Sequence, residues 1–265
     1  MITPQELRKI AREKKLPLDL VEKDYVLGWL LYGICSSRLS DALAFKGGTA
    51  LSKVYFPGQW RLSEDLDFTL LGENILEDLA PILSNEVPDI IVKESDISVV
   101  LSKPPFLSST YLQSRFQYNG PVCKNTVKIE ITTEKFLGEV VAQGVPNMFD
   151  YPPYVARVYS LETILAEKLR ALVERGKIKD YYDVWRLLKT NRCDRVKVRE
   201  LFLCKCEAKN VGFVGVDQLF PKDLVELFEP HLEVGLTRLS SEPLPSIEVM
   251  LTETKTALTT LLSKY

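Results

Sequence analysis

The sequence of 265 residues contains one histidine and five cysteines, and these low counts argue against several classes of catalytic and metal site. His231 is the sole histidine, and no nucleophile lies beside it in the sequence, so Ser-His-Asp and Cys-His mechanisms are disfavoured. The five cysteines include no Cys-x-x-Cys pair, which argues against a zinc site and against a disulfide framework. We therefore interpret His231 as a structural or surface residue and expect the protein to act in the reducing cytoplasm.

Long apolar runs and an excess of one charge are also absent. The longest apolar stretch, residues 25–35, is shorter than the roughly 20 residues that cross a bilayer, and residues 1–9 lack the apolar core of a signal peptide. We expect no membrane partner. With 34 basic and 36 acidic residues, 46% hydrophobic and 26% charged, the composition is typical of a globular protein and excludes a disordered or collagen-like chain.

The order of predicted elements indicates two regions. The first is mixed, with helices at 3–15, 18–36, 49–55 and 74–84 and strands at 42–45, 66–71, 97–101, 114–118 and 126–132. The second is helical, with helices at 161–174, 180–189, 194–208, 222–228 and 246–262. We predict an α+β, bilobed protein with an α/β lobe over 1–152 and a helical lobe over 153–265, divided at Pro152-Pro153.

A glycine turn follows the predicted strand at 42–45. Gly47 and Gly48 end this strand, and Thr49 can cap the short helix that follows. Glycine lets the backbone approach a ligand closely, and the N–H groups at a helix start attract anions. We interpret this turn as a phosphate site, although Gly-Gly-Thr by itself is also an ordinary turn.

Two carboxylates stand on the next predicted strand. Asp65 and Asp67 project from one face, because side chains alternate along a strand, while the apolar residues next to them enter the core. Neighbouring carboxylates repel unless a positive group lies between them, and hard oxygen ligands favour Mg²⁺. Together with Arg61, Ser63 and the glycine turn, they suit a nucleoside triphosphate bound through Mg²⁺. A surface strand end is the alternative for an isolated Asp-x-Asp.

A third acid lies on the predicted strand at 126–132. Lys128, Glu130 and Thr132 share one face of this strand, opposite its three β-branched residues. Glu130 would face the two aspartates if the strands are neighbours. It would then be a ligand in a two-metal site or the general base, and a solvated polar face is the alternative.

The helical region contributes one lysine and two more acids. Lys168 falls inside the apolar stripe of its helix, so it must extend to solvent or meet an anion, either a triphosphate or an acid partner. Asp183 is flanked by core-like residues. Asp180 lies one turn before Asp183, and for Asp180 a simple helix cap is the alternative role.

Taken together, these motifs resemble the AbiEii/AbiGii-type toxins of type IV toxin–antitoxin systems, including the MenT group, within the DNA polymerase β-like nucleotidyltransferase superfamily. The resemblance covers roughly residues 20–190 and is carried by segments 22–25 (EKDY), 45–51 (FKGGTAL), 61–68 (RLSEDLDF), 128–130 (KIE), 167–172 (EKLRAL) and 179–184 (KDYYDV). It implies an N-terminal nucleotidyltransferase lobe with a mixed sheet and a helical C-terminal lobe that completes the active site and contacts the acceptor.

The resemblance also implies roles for individual residues. Asp65 and Asp67 would bind the catalytic Mg²⁺ ions, with Glu130 in the position of the third acid. Lys168 would contact the nucleotide phosphates, and Asp183 would belong to the family's late acidic motif. The residues implied to bind nucleotide are Gly47, Gly48, Thr49, Arg61, Ser63 and Lys168. The activity implied is transfer of a nucleoside monophosphate from an NTP, for some members onto tRNA, with an AbiEi-like antitoxin as partner.

The acceptor is the least determined part of this interpretation. Residues 166–209 hold 13 Lys and Arg against 7 Asp and Glu, interleaved with Tyr181, Tyr182, Trp185 and Phe202. Such a surface suits RNA, and a solvated helix face with a core-facing Trp185 is the alternative. Transfer to a protein hydroxyl and a non-catalytic NTP-sensing or partner-binding module also remain open, and the intact set of acids argues against the latter.

Overall fold

The computed structural model describes residues 2–263, which form two compact units. The first unit runs to Phe136 and resumes for Val140–Val158, and the second comprises Leu137–Glu139 and the residues from Tyr159 on. Pro152 and Pro153, where the sequence analysis puts the boundary, lie within the first unit, ahead of its last strand.

An eight-stranded mixed sheet forms the centre of the first unit. Its strands are β1 (Leu43–Lys46), β2 (Asp65–Leu70), β3 (Ser98–Leu101), β4 (Phe106–Leu107), β5 (Tyr111–Asn119), β6 (Lys124–Thr132), β7 (Val140–Gly144) and β8 (Val155–Tyr159). The strand order is β3-β5-β6-β2-β1-β8-β7, with β4 also paired to β5. β2 pairs antiparallel with β1 and parallel with β6, so it lies in the middle of the sheet. The mixed sheet that was predicted is confirmed, although β4, β7 and β8 were not predicted.

Five helices accompany the sheet. They are α1 (Pro4–Lys14), α2 (Leu18–Cys35), α3 (Gly47–Ala50), α4 (Leu76–Pro81) and α5 (Val87–Ser95), with π-helical turns at Leu51–Tyr55 and Ile82–Glu86. α1 begins with the capping box formed by Thr3 and Glu6. α2 is apolar around most of its circumference because it packs against α1, α5, β2 and β6. α5 was not predicted, since Pro88 suggested a break, yet this proline lies in the first turn of α5, where a proline is tolerated.

The second unit is helical, as predicted. Its helices are α6 (Leu161–Glu174), α7 (Ile178–Thr190), α8 (Arg195–Ala208), α9 (Leu224–Gly235) and α10 (Ile247–Leu261), with 3₁₀ turns at Val216–Leu219 and Thr237–Leu239. The Ser160 hydroxyl caps α6 by accepting from the Thr163 N–H. α6 packs on α7 and α8, and α10 packs on α7. Within residues 2–263, no helix combines the length and apolar character needed to cross a membrane.

Candidate active site

The glycine turn, Gly47 and Gly48, follows β1 directly and begins α3, and it brings the backbone against two side chains. Gly47 has a φ of +80°, and a Cβ at this position would lie 2.7 Å from Oδ2 of Asp67. A Cβ on Gly48 would lie 3.0 Å from a guanidinium nitrogen of Arg61 and 3.4 Å from Oγ of Ser63. Position 47 therefore needs glycine, because of its positive φ and the close Asp67 carboxylate, whereas a side chain at Gly48 would require the Arg61 guanidinium to shift by a few tenths of an ångström.

The side chains around this turn join it to the next strand. The hydroxyl of Thr49, which is fully buried, donates a hydrogen bond to the carbonyl of Asp65. Arg61 is buried and donates to the carbonyl of Leu62 at 3.2 Å. These contacts fix the start of β2 against α3, so the hydroxyl of Thr49 and part of the Arg61 guanidinium serve the local structure.

The predicted faces of β2 and β6 are confirmed by the burial of their residues. Along β2, Leu66 and Phe68 are buried while Asp65 and Asp67 are partly exposed. Along β6, Glu130 stands on the partly exposed face, between buried isoleucines. The alternation that each strand's sequence shows therefore puts all three acids on the polar side of their strands.

The pairing of β2 with β6 brings these three acids together. In the parallel register, Asp67 lies opposite Glu130 and Asp65 lies opposite Lys128. On the other side of β2, Lys46 of β1 lies opposite Asp67. We refer to Asp65, Asp67 and Glu130 as the acid cluster.

A lysine lies inside the acid cluster. Nζ of Lys128 is 3.3 Å from Oδ2 of Asp65 and 3.1 Å from Oε2 of Glu130. Partial burial alone would lower the pKa of Lys128, but the two carboxylates, Asp65 foremost, raise it above its usual value. The positive group that two neighbouring carboxylates require is thus supplied by the chain itself.

Glu130 is held by donors from two strands. Its Oε1 accepts from the Tyr111 hydroxyl and, at 3.0 Å, from Nε2 of Gln113, while its Oε2 faces Lys128. Partial burial alone would raise the pKa of Glu130, but these three donors lower it below its usual value. Both oxygens of Glu130 already face donors, so this geometry favours an electrostatic role over general-base catalysis. Tyr111 and Gln113 had no role in the sequence analysis, because neither belongs to a recognisable motif.

The donor chemistry of Asp65 and Asp67 fits Mg²⁺. Both present carboxylate oxygens on one strand face, and Gly47 leaves space beside Oδ2 of Asp67. Mg²⁺ is commonly held by one or two carboxylates together with substrate phosphates. Within residues 2–263, no three His, Cys, Asp or Glu side chains are already grouped to hold an ion, so the aspartates fit as a pair rather than as a closed cage.

The second unit brings Lys168, Asp180 and Asp183 together. Nζ of Lys168 lies 2.8 Å from Oδ1 of Asp180 and 2.9 Å from Oδ2 of Asp183, and both aspartates are almost completely buried. Of the anions that the sequence allowed for Lys168, the structure contains the acid partner. Asp180 also binds Arg175 at 3.0 Å, so it is more than a helix cap. Although burial alone would raise the pKa of Asp180, Lys168 and Arg175 lower it to about 2.

The basic segment 166–209 is partly neutralised. At least seven of its 13 basic residues form ion pairs with carboxylates. Tyr181, Tyr182 and Phe202 are buried, so these aromatics belong to the core. Trp185 is half-buried beside a groove of about 320 Å³, with Nζ of Lys189 at 4.7 Å from its ring. Trp185 is thus the one member of the four predicted aromatics that is not buried, and it lines this groove together with Tyr182.

Two aspartates on a central strand of a mixed sheet, beside a glycine turn, fit the metal-assisted phosphoryl chemistry of a nucleotidyltransferase. A family model described as the nucleotidyl transferase AbiEii toxin of type IV toxin–antitoxin systems matches residues 29–251. The chain belongs to this family of nucleotidyltransferase toxins. No curated protein matches it in sequence.

Solved structures share its fold at low sequence identity. The nucleotidyltransferase toxin MenT4 from Mycobacterium tuberculosis is 17% identical with a TM-score of 0.72, and the match covers 99% of this chain and 90% of that chain. JHP933 from Helicobacter pylori is 18% identical with a TM-score of 0.59 and covers 94% of each chain. At these identities the likeness concerns the fold alone.

Proposed function

We propose that this protein is a cytoplasmic, Mg²⁺-dependent enzyme that transfers a nucleoside monophosphate from an NTP to a hydroxyl of RNA, with tRNA as the acceptor. The observation that carries the proposal is the row formed by Asp67 and Glu130 on paired strands, with Asp65 on the same face and Gly47 against Asp67. Five free cysteine thiols are compatible with a reducing compartment.

The residues of the first unit would have distinct roles in this reaction. Asp65 and Asp67 would hold Mg²⁺, which supplies positive charge to the phosphate oxygens when bound. The backbone at Gly47 and Gly48 would approach the triphosphate, since neither position carries a side chain. Tyr111, Gln113 and Lys128 donate to Glu130 and lower its pKa, and the negative charge of Glu130 would orient the acceptor hydroxyl.

Lys168 remains a candidate phosphate ligand in the second unit. An ammonium group has three N–H donors, so a phosphate contact would be shared with Asp180 and Asp183. Asp183, which is fully buried, would then hold the ammonium in place.

An RNA acceptor is favoured over a protein acceptor by the exposed basic residues around α7 and α8. Lys177, Arg192 and Arg195 are exposed, and the groove beside Trp185 offers an aromatic edge next to Arg186 and Lys189. Basic side chains with an accessible aromatic ring suit unpaired nucleotides. By family membership, we propose an AbiEi-like antitoxin as the cognate partner.

Labelled NTPs incubated with the protein and total RNA test this proposal. We expect label to enter RNA and to become soluble after RNase treatment. Asp65→Asn and Asp67→Asn should abolish labelling, while Asp41→Asn, a change of a highly exposed aspartate in the same unit, should not. Labelling by the Asp65 and Asp67 variants at the wild-type rate would contradict the proposal. Label that resists RNase but not protease would move the acceptor from RNA to protein.

A further inference from the structure

We propose that the ammonium group of Lys128 is a built-in cation of the acid cluster and takes the place of one of two divalent ions, so that the site loads a single divalent ion. This inference rests on the proposed function and deepens it, because it concerns the metal content of the same site. The sequence predicts two metal ions at this site. The inference instead places one divalent ion at Asp65 and Asp67, with the Lys128 ammonium group beside Glu130.

The sheet itself determines where Lys128 lies. Lys128 is opposite Asp65 in the parallel register of β2 and β6, and it stands two residues before Glu130 on the same strand. Ile129 between them is fully buried, so Lys128 and Glu130 must share the polar face. The backbone therefore places Lys128 on the polar face, next to the acid cluster.

The contacts of Lys128 join acids from both strands. Its Nζ lies within 3.3 Å of an Asp65 oxygen and within 3.1 Å of a Glu130 oxygen. Only 24% of the Lys128 side chain is exposed, so solvent screens this charge incompletely. A divalent ion bridging Asp65 and Glu130 would have to occupy the volume of the ammonium group and would be repelled by it.

Both carboxylate oxygens of Glu130 are also already occupied by donors, which disfavours binding of a metal ion. Its Oε1 accepts from Tyr111 and Gln113, and its Oε2 faces Lys128. A metal bound to Glu130 would compete with three donors at once.

The charges of the five side chains at the site also weigh against a second ion. Three carboxylates carry three negative charges, and Lys128 and Lys46 offset two of them, with Lys46 opposite Asp67 and donating to Thr132 at 3.1 Å. One divalent ion already exceeds the single negative charge that remains, and this leaves a positive site for a triphosphate. A second divalent ion would add two more positive charges a few ångströms from Lys128, at an electrostatic cost.

Equilibrium dialysis of the full chain against Mn²⁺ and a non-hydrolysable NTP analogue tests the inference. With both solutes in both chambers, the excess on the protein side gives Mn²⁺ and nucleotide bound per chain. We expect one Mn²⁺ per bound nucleotide for the wild type and two for Lys128→Met. Lys128→Arg keeps the cation and should stay at one. So should Lys124→Met, because Lys124 is exposed at the far end of the same strand face.

The possible outcomes separate the two proposals. Two Mn²⁺ per nucleotide in the wild type would overturn the inference while leaving the proposed function intact, and this measurement needs no variant to fold. One Mn²⁺ in a folded Lys128→Met protein would overturn it as well, with circular dichroism as the check of folding. If no nucleotide accumulates on the protein side, both the inference and the proposed function fail.

Discussion

Glu22, a fully buried carboxylate on α2, accepts hydrogen bonds from the backbone N–H of Cys123 at 3.1 Å and from its thiol at 2.6 Å. The N–H of Val122 donates to the same carboxylate. The turn between β5 and β6 is thereby attached to α2, and β6 is the strand that carries Glu130. This contact explains the acidic residue in the EKDY segment, which otherwise sits in an apolar helix.

Removal of the Glu22 carboxylate should destabilise the first unit. Glu22→Ala leaves two partly buried backbone donors without this acceptor, so we expect the free energy of unfolding to fall by about 3 kcal/mol. Glu22→Gln keeps one acceptor oxygen and should cost about 1 kcal/mol. Urea unfolding measures both. Glu13→Ala, at an exposed position of α1, should change the free energy by less than about 0.5 kcal/mol, and an equal loss in all three variants would contradict this account.

The cysteines should differ sharply in reactivity. Burial raises the pKa of Cys35, Cys123 and Cys193 to about 12 and that of Cys206 to about 11. These thiols stay protonated at pH 8, and the thiolate is the nucleophile, whereas Cys204 is exposed. Brief treatment of the native protein with iodoacetamide should therefore modify Cys204 first, as mass spectrometry can show. In denaturant all five should react alike, and fast native labelling of Cys123 would be the contrary result.

The glycine turn should tolerate no side chain at Gly47. Gly47→Ala places a methyl group 2.7 Å from Oδ2 of Asp67 at a φ of +80°, so both the backbone and the aspartate must shift. We expect nucleotidyl transfer to fall by about tenfold or more, because a displaced ligand misaligns the reaction. Stability should fall by about 1 kcal/mol. Gly144→Ala has open space around it and serves as the matched control. Wild-type transfer by Gly47→Ala would argue against a role for the turn.

The polar and apolar faces of β2 and β6 could be predicted from sequence because they depend only on alternation within one strand. The residues that face each other on adjacent strands could not be predicted in this way. The approach of Lys128 to Asp65 follows from a register between strands about 60 residues apart, which no local pattern encodes. Tyr111 and Gln113 reach Glu130 through the same kind of pairing on the other side of β6.

The contacts of the helices also fall into those that a local sequence pattern predicts and those that depend on the fold. The capping box of Thr3 and Glu6 is a local pattern, and it was predicted in part from the order of residues 3–6. For Lys168 the sequence required an anion without deciding which one, because its partners Asp180 and Asp183 come from the next helix. Burial of an ionised group thus signals that a partner exists, while the fold determines its identity.

The buried ion pair of Asp180 should make the stability of the second unit depend on acid pH. Its pKa is lowered to about 2 in the folded chain, against about 3.9 when unfolded. The stabilisation is therefore fully present above pH 4 and is lost as the pH falls through about 4 towards 2. It amounts to about 2 to 3 kcal/mol at neutral pH. Urea unfolding between pH 6 and 3 should show a steeper loss for the wild type than for Asp180→Asn.

The same urea experiment can distinguish the acid sensitivity that comes from the Asp180 ion pair from that of other carboxylates. Glu226→Gln removes an exposed carboxylate from α9, which differs from the buried ion pair in burial and contacts, and should keep the wild-type slope. Lys168→Met removes the cation instead. It leaves Asp180 with Arg175 alone and Asp183 buried without Lys168, so stability at pH 7 should fall by about 3 kcal/mol or more. Lowering the pH should then recover part of this loss, as protonation removes the buried charge of an Asp183 that has lost its contact with Lys168. If Lys168→Met is instead less stable at pH 4 than at pH 7, the ion pair does not control the folded state.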